Sequence, residues 1–236
     1  MHMSDITAQI TERLRPFLTI ERKEKIERVI SGRIFDKQIL LENIYDRGNV
    51  AAVLRTAEAL GISHLHILET QPEYKVSSRV TQGADHWLEI EQWGQVQSCF
   101  SSLKDRGFKI AVSRLGAKKK LEDIDFQAPL IFVFGNEKEG VSSQAIEMAD
   151  MEFEIPMYGF TQSFNISVAA ALCLKEIRSR SQVPDDMEPR RERLRALYYL
   201  RSYEHSKKLI PKEWLEQFSF FDQRDLKSEP GFDSLW

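Results

Sequence analysis

The spacing of hydrophobic positions along this chain changes near residue 38. Before that point Ile6, Ile10, Leu14, Phe17 and Leu18 recur at helical intervals among many charges. This predicts amphipathic helix over Asp5 to Ile30, broken at Pro16. Beyond it, short apolar runs alternate with helical stretches. Ile39-Leu40-Leu41 predicts a strand, and Val50, Val53, Leu54, Ala57 and Leu60 share a helical face that closes at Gly61. His64 to Leu68 predicts a strand, Val96 to Lys104 a helix ending near Gly107, and Phe108 to Leu115 another strand. Leu130 to Phe134 is a continuous apolar run of the kind carried by a buried parallel strand. Ser142 is placed to cap a helix reaching Met148, Met151 to Pro156 predicts a further strand, and a long helix is expected from Ser163 to Arg180. After Pro184 the pattern is helical again, with a short helix around Trp214 to Phe218 before an acidic, aromatic-tipped tail.

Such alternation implies an α/β fold, a parallel sheet with helices on both faces. It divides the chain into a helical N-terminal extension (1–36), a central domain (37–181) and a basic helical C-terminal extension with its tail (182–236). Ligands of parallel sheets bind beyond the carboxyl ends of the strands. The loops after Leu41, Leu115, Phe134 and Pro156 are therefore where chemistry is expected.

Composition refines this picture only in places. At 42% hydrophobic and 29% charged residues the chain reads as globular. No apolar run approaches a membrane span, the N-terminus lacks a signal peptide's apolar core, and a cytoplasmic protein is expected. Cys99 and Cys173 stand apart without ligand-spaced partners, as buried thiols rather than a disulfide or a metal site. The net charge of −3 hides a local excess. Between Arg190 and Lys208 seven basic residues (Arg190, Arg191, Arg193, Arg195, Arg201, Lys207, Lys208) face two acids, Glu192 and Glu204. With Arg47 and Lys118-Lys119-Lys120 they form a candidate phosphate-binding surface, although charge runs usually are solvated helix faces.

Three segments at predicted strand ends carry candidate chemistry. In the first, Asn43 to Ala57, Asn49 reads either as a helix cap or as a site residue, and Arg55 as a solvated or a functional side chain. The second, Phe134 to Ser142, is a polar loop bracketed by Gly135 and Gly140, which lets backbone amides approach a ligand. Its Glu137 reads equally as a loop carboxylate capping amides. The third, Ile155 to Ala171, crowds Ser163, Asn165 and Ser167 at one strand-to-helix junction, where any of them could serve as caps. No GxGxxG or P-loop pattern occurs in these segments, which speaks against a dinucleotide-dependent oxidoreductase.

Together and in this order, the segments resemble the three signature motifs of the SpoU/TrmH family of SPOUT RNA 2'-O-ribose methyltransferases. Asn49 to Arg55 resembles the first, Gly135 to Gly140 the second, and Ile155-Pro156-Met157 through Ser163 to Ser167 the third. The resemblance spans about Gln38 to Arg180. It implies a C-terminal trefoil knot in the α/β domain, a homodimer whose interface completes the active site, and S-adenosyl-L-methionine as cofactor. By position, Ser113, Leu115, Gly135, Gly140, Ile155, Met157 and Phe164 are the implied cofactor contacts; family members usually carry Leu where this chain has Phe164. Arg55, Asn49, Glu137, Ser163 and Asn165 are the implied catalytic set. A guanidinium is a poor base. The resemblance is therefore taken to imply that Arg55 holds a phosphate beside the ribose and lowers the pKa of its hydroxyl, the phosphate or the arginine taking the proton. Asn49 and Asn165 would orient Arg55 and the ribose, and Glu137 would anchor Arg55 or its own loop.

RNA is the implied partner, with Arg47, Lys118, Lys119, Arg190, Arg191 and Arg195 as its contacts. The short helical extensions resemble the subgroup that methylates the D-loop guanosine of tRNA. A ribosomal RNA ribose methyltransferase and a catalytically inactive RNA-binding relative are the alternatives.

Overall fold

The computed structural model describes residues 3–70, 84–181 and 188–219. In chain order its elements are α1 (Met3–Leu14), α2 (Ile20–Ser31), β1 (Lys37–Glu42), α3 (Arg47–Ala59), β2 (His64–Leu68), β3 (Glu89–Trp93), α4 (Val96–Asp105), β4 (Lys109–Ser113), β5 (Lys119–Lys120), β6 (Leu130–Phe134), α5 (Ser143–Met148), β7 (Met151–Glu154), α6 (Ile166–Arg180), α7 (Glu188–Ser202), α8 (Ser206–Leu209) and α9 (Lys212–Ser219). The chain forms two compact units, Ile34–Gln182 and a second assembled from Met1–Arg33 with Val183–Trp236.

In the larger unit the strands lie in the order β3-β2-β1-β6-β4-β7-β5, every neighbouring pair parallel. From β1 the chain steps outward to β2 and β3, then returns past β1 to β4. Right-handed crossovers in both directions put α3 and α4 on opposite faces of the sheet. Leu40, Leu68, Ile110, Val112, Ile131 and Val133 alternate along their strands and bury one face against Val96, Cys99, Phe100 and Leu103 of α4 and Ala145 of α5. Helices α3 and α6 pack on each other and bury Val50, Val53, Leu54 and Ala57 on one, Ala170, Cys173, Leu174 and Ile177 on the other.

Two edge strands were not evident in the hydrophobic pattern. Strand β5 is only Lys119-Lys120, paired with Phe153 and Glu154, and exposed lysines are usual on an edge. Strand β3 is too polar to look like one. Its acids fit because β2 answers them: the register sets His64 beside Glu89 and His66 beside Glu91. Gln38 donates from Nε2 to the Phe35 carbonyl (2.9 Å), so its Oε1 faces His66 Nε2 at 2.7 Å. Trp93 Nε1 donates to His66 Nδ1 at 3.2 Å. Those two contacts fix a neutral imidazole protonated at Nε2, and burial with the neighbouring His64 charge holds its pKa well down. His64 lies 2.9 Å from Glu91, which Arg106 also grips at 2.7 and 3.0 Å. His64, His66 and Glu91 come within metal-ligating reach of one another; both ring nitrogens of His66 are engaged by Gln38 and Trp93, and Glu91 is held by Arg106.

The smaller unit starts as the spacing predicts. Pro16 sits in a 3-10 turn over Arg15–Phe17, and Thr19 restarts the helix by accepting a hydrogen bond from Arg22 N at 3.2 Å. Ile6, Ile10 and Leu14 are fully buried, and α1 packs along α7. Arg33, also buried, donates from Nε to the Tyr198 hydroxyl at 2.9 Å, which satisfies a cation that would otherwise be costly to enclose. The acidic tail and Pro184 lie outside the described residues.

Candidate strand-end site

Leu41 of β1 and Phe134 of β6 are register partners, so these two strands end side by side. The chain then leaves β1 toward β2 and leaves β6 toward β7, in opposite directions across the sheet. Such a divergence opens a crevice at the carboxyl ends of the strands, and the three motif segments meet there.

Asp46, not Asn49, caps α3, accepting a hydrogen bond from Gly48 N at 2.8 Å. That leaves Asn49 free for another purpose in the first helical turn, where it is nearly buried. Its Nδ2 donates to Glu137 Oε1 at 2.7 Å, and its Oδ1 accepts from Asn165 Nδ2 at 3.1 Å. Asn165 in turn caps α6, accepting from Ser167 N at 2.9 Å and from Ser167 Oγ at 2.6 Å. The long helix therefore starts three residues later than Ser163. One asparagine ties together residues 88 and 116 positions away.

The loop that presents Glu137 is held by its own backbone. Asn136 Oδ1 accepts from Lys138 N at 2.9 Å and Glu139 N at 2.7 Å, while Asn136 and Gly140 exchange main-chain hydrogen bonds at 3.2 and 3.0 Å. Gly140 has φ +72°, which L side chains rarely adopt. A Cβ on Gly135 would lie 2.0 Å from the Gly140 carbonyl carbon and oxygen. Both glycines are required by this closure.

Strands β6, β4 and β7 are neighbours, so Ser113 and Leu115, Gly135 and Gly140, and Ile155 and Met157 stand at three adjacent strand ends. The loop after β4 is pinned to β7 by Arg114 N on the Phe153 carbonyl (2.8 Å) and Gly116 N on the Glu154 carboxylate (3.0 Å). Leu115 (60% exposed) and Phe164 (38%) leave apolar surface uncovered at this end of the sheet. Buried polar donors beside exposed apolar side chains suit a ligand with an aromatic base and polar appendages.

Not every candidate joins the cluster. Arg55 and Ser163 are exposed, and among the described residues no hydrogen bond ties either to Asn49, Glu137 or Asn165. Arg55 follows Asn49 by six residues, so the two leave α3 roughly 120° apart. Arg47 is half-buried at the start of α3, and Lys118 and Lys119 are exposed. In the helical unit Arg190 is exposed and Arg191 half-buried. Arg195 is already spoken for: Glu27 accepts from its Nε and Nη2 at 2.6 and 2.8 Å, and Glu188 lies at 3.4 Å. The hydrogen bonds to Glu27 drive its pKa further up, outweighing the opposing effect of burial. Sequence reading passed over Asp46, Asn136, Tyr45 and Glu42; an acid directly before the helical run was the available signal for Asp46.

Residues 36–175 match the SpoU rRNA Methylase family. The chain is 33% identical over 205 residues to the tRNA (guanosine(18)-2'-O)-methyltransferase of Borreliella burgdorferi, spanning 84% of this chain and 94% of that one. It is 34% identical over 159 residues to the enzyme of the same description from Thermus thermophilus, 67% of this chain and 82% of the relative. Among solved structures it resembles the A. aeolicus TrmH/SpoU tRNA modifying enzyme, with a TM-score of 0.61 and 27% identity over 86% of this chain and 97% of the other. The AdoMet-bound rRNA methyltransferase from Sinorhizobium meliloti shares the fold, at a TM-score of 0.56 and 23% identity over 62% and 57%.

A parallel α/β domain with three polar loops converging at its topological switch point belongs to the class that binds a small ligand at the strand ends. Within that class, the chain belongs to the SpoU methylase family of RNA methyltransferases.

Proposed function

We propose that this protein transfers a methyl group from S-adenosyl-L-methionine to a ribose 2'-hydroxyl of tRNA, the D-loop guanosine at position 18 being the target. The target follows from the curated relatives, which span most of the chain and carry that description. The observation that supports the reaction is the Asn49–Glu137–Asn165 cluster at the switch point, which brings the three motifs to one place. The cofactor would lie against Ser113, Leu115, Gly135, Gly140, Ile155, Met157 and Phe164, and it supplies an electrophilic methyl on a sulfonium.

The chain's own residues position and desolvate. Asn49 and Asn165 set the geometry of the ribose site, and Glu137, held by Asn49, fixes the loop over it. Arg55 is exposed and keeps its guanidinium available for an RNA phosphate, whose contact would weaken the hold of the attacking hydroxyl on its proton. Ser163 lies on the same junction, offering a hydroxyl to the ribose. Exposed Lys118 and Lys119, half-buried Arg47, and Arg190 and Arg191 on α7 would meet the RNA backbone. Arg195 would serve α7 indirectly, by bracing that helix against Glu27 of α2.

Two further elements belong to this reading. The insertion of β6 between β1 and β4, with β7 beyond β4, supports a trefoil knot in the last third of the domain. Helix α6 buries one face and exposes Val168 (45%) and Leu172 (42%) on another, and the preceding loop leaves Tyr158 and Phe160 fully exposed; these apolar side chains support a homodimer that completes the site. No helix among the described residues is long and apolar enough to cross a membrane, and action on tRNA supports a cytoplasmic location.

The test is Arg55→Ala with labelled cofactor, separate tRNA and ribosomal RNA pools, and mapping of the methylated nucleotide. The expected result is methylation of tRNA by the parent protein and a loss of about a hundredfold or more in turnover by the variant, with RNA affinity nearly retained. Undiminished turnover would remove Arg55 from the mechanism. Methylation confined to ribosomal RNA would overturn the substrate.

A further inference from the structure

Glu42 ends β1 among apolar neighbours, Leu40, Leu41, Leu68 and Phe134, and is 1% exposed. A carboxylate in such a place is expensive unless donors satisfy it. Among the described residues its donors come from a single one, 100 positions away. Ser142 N donates to Oε2 at 3.0 Å and Ser142 Oγ–H to Oε1 at 2.6 Å. Ser142 is itself the cap of α5, its Oγ accepting from Ala145 N at 3.3 Å. A buried charge thus holds a hydroxyl that holds a helix end.

What Ser142 terminates gives the arrangement its meaning. The glycine-bracketed loop begins at Gly135, immediately after β6, and ends at Ser142. Register places Leu41 beside Phe134, so Glu42 stands level with the loop's entrance while gripping its exit. Two more links cross the same gap: Lys138 Nζ sits 5.3 Å over the Tyr45 ring, and Asn49 holds Glu137. Of the three, the Glu42 contact has the most deeply buried member, and hydrogen bonds to a buried charge are the strongest kind.

The geometry points to Glu42 as a positioning residue for the proposed cofactor site, clamping the exit of the 135–142 loop to the end of β1 so that its backbone amides keep the geometry a ligand requires. It does not touch the reacting atoms; it acts through Ser142. This rests on the reading that S-adenosyl-L-methionine binds at these strand ends.

The experiment is calorimetric titration of the full-length protein with S-adenosyl-L-methionine, without RNA, alongside steady-state kinetics. Glu42→Gln keeps the shape but replaces one acceptor oxygen by a donor facing a donor. Ser142→Ala removes the hydroxyl and leaves the strand untouched, so it reports even where Glu42→Gln does not fold. Each variant is expected to weaken cofactor affinity about tenfold, to raise the KM for cofactor, and to leave kcat at saturating cofactor within about twofold. The double variant is expected to lose no more than the worse single one. Ser142→Thr, which keeps a hydroxyl, is expected to recover most of the affinity. Parent-like affinity in Ser142→Ala, or additive losses in the double variant, would overturn the clamp. A parent protein that binds no cofactor would instead overturn the proposed function, so the two failures are distinguishable.

Discussion

Replacing Asn49 by aspartate puts the cluster under the sharpest strain, because it preserves shape and reverses one contact. Asn49 Nδ2 now donates to Glu137 Oε1 at 2.7 Å; an aspartate would set a second carboxylate oxygen there. Two unit charges at that separation repel by about 1.5 kcal/mol in a water-like dielectric and by about 6 kcal/mol at an effective dielectric of ~20. Glu137 is exposed and can swing outward, so the lower figure applies to the repulsion. The lost charge-assisted bond adds about 1.5 kcal/mol. Asn49→Asp should therefore cost about 2–3 kcal/mol, and Asn49→Ala, which loses the bonds without the repulsion, about 1–2 kcal/mol. Urea unfolding at pH 7 measures both. The diagnostic is the gap between them: acidification to about pH 4 protonates one member of the new carboxylate pair and should close it. An Asn49→Asp protein as stable as the parent at pH 7, or a gap indifferent to pH, would refute the placement of Glu137 on Asn49.

Two other perturbations follow from the same structure. Gly135→Ala would drive a Cβ to 2.0 Å from the Gly140 carbonyl, backbone that cannot yield cheaply; a loss of about 3 kcal/mol in unfolding free energy and of cofactor binding is expected, and a parent-like variant would show the 135–140 closure to be looser than described. His64 is the pH-sensitive group. Burial opposes its charge, but hydrogen bonds and charge from Glu89 and Glu91 outweigh burial and raise its pKa to about 9. A folded-state pKa above the unfolded value near 6.5 means that the stabilisation is fully present below pH 6.5 and is lost as pH rises through about 9; the shift corresponds to about 3 kcal/mol. Unfolding measured from pH 6 to 10 should show that decline in the parent and not in His64→Gln; equal slopes would refute it.

Much of the architecture was legible in the one-dimensional pattern because its causes are local. Pro16 cannot sit inside a helix, Gly61 closes α3 with φ +83°, and the unbroken run Leu130 to Phe134 has no polar face to present to water, so it lies buried between β1 and β4. Both cysteines are buried and free, as their isolation in the chain implied. Burial raises the pKa of both thiols. Strand β3 was illegible because its cause is not local: Glu89, Glu91 and Gln92 carry no strand signal until His64, His66 and Arg106 are brought alongside. The site divides in the same way. Gly135, Gly140 and the crowded junction at Asn165 mark strand ends by themselves, since their residue types speak of turns and caps. That Asn49 is not a cap but the hub of Glu137 and Asn165, that Glu42 answers Ser142, and that Arg195 is consumed by Glu27 were decided only by tertiary structure. Each depends on a partner between 88 and 168 residues away. Sequence spacing fixes which face of an element a side chain leaves from, whereas its partner is set by which strands lie side by side, and here the strand order departs from the chain order at β1 and β6.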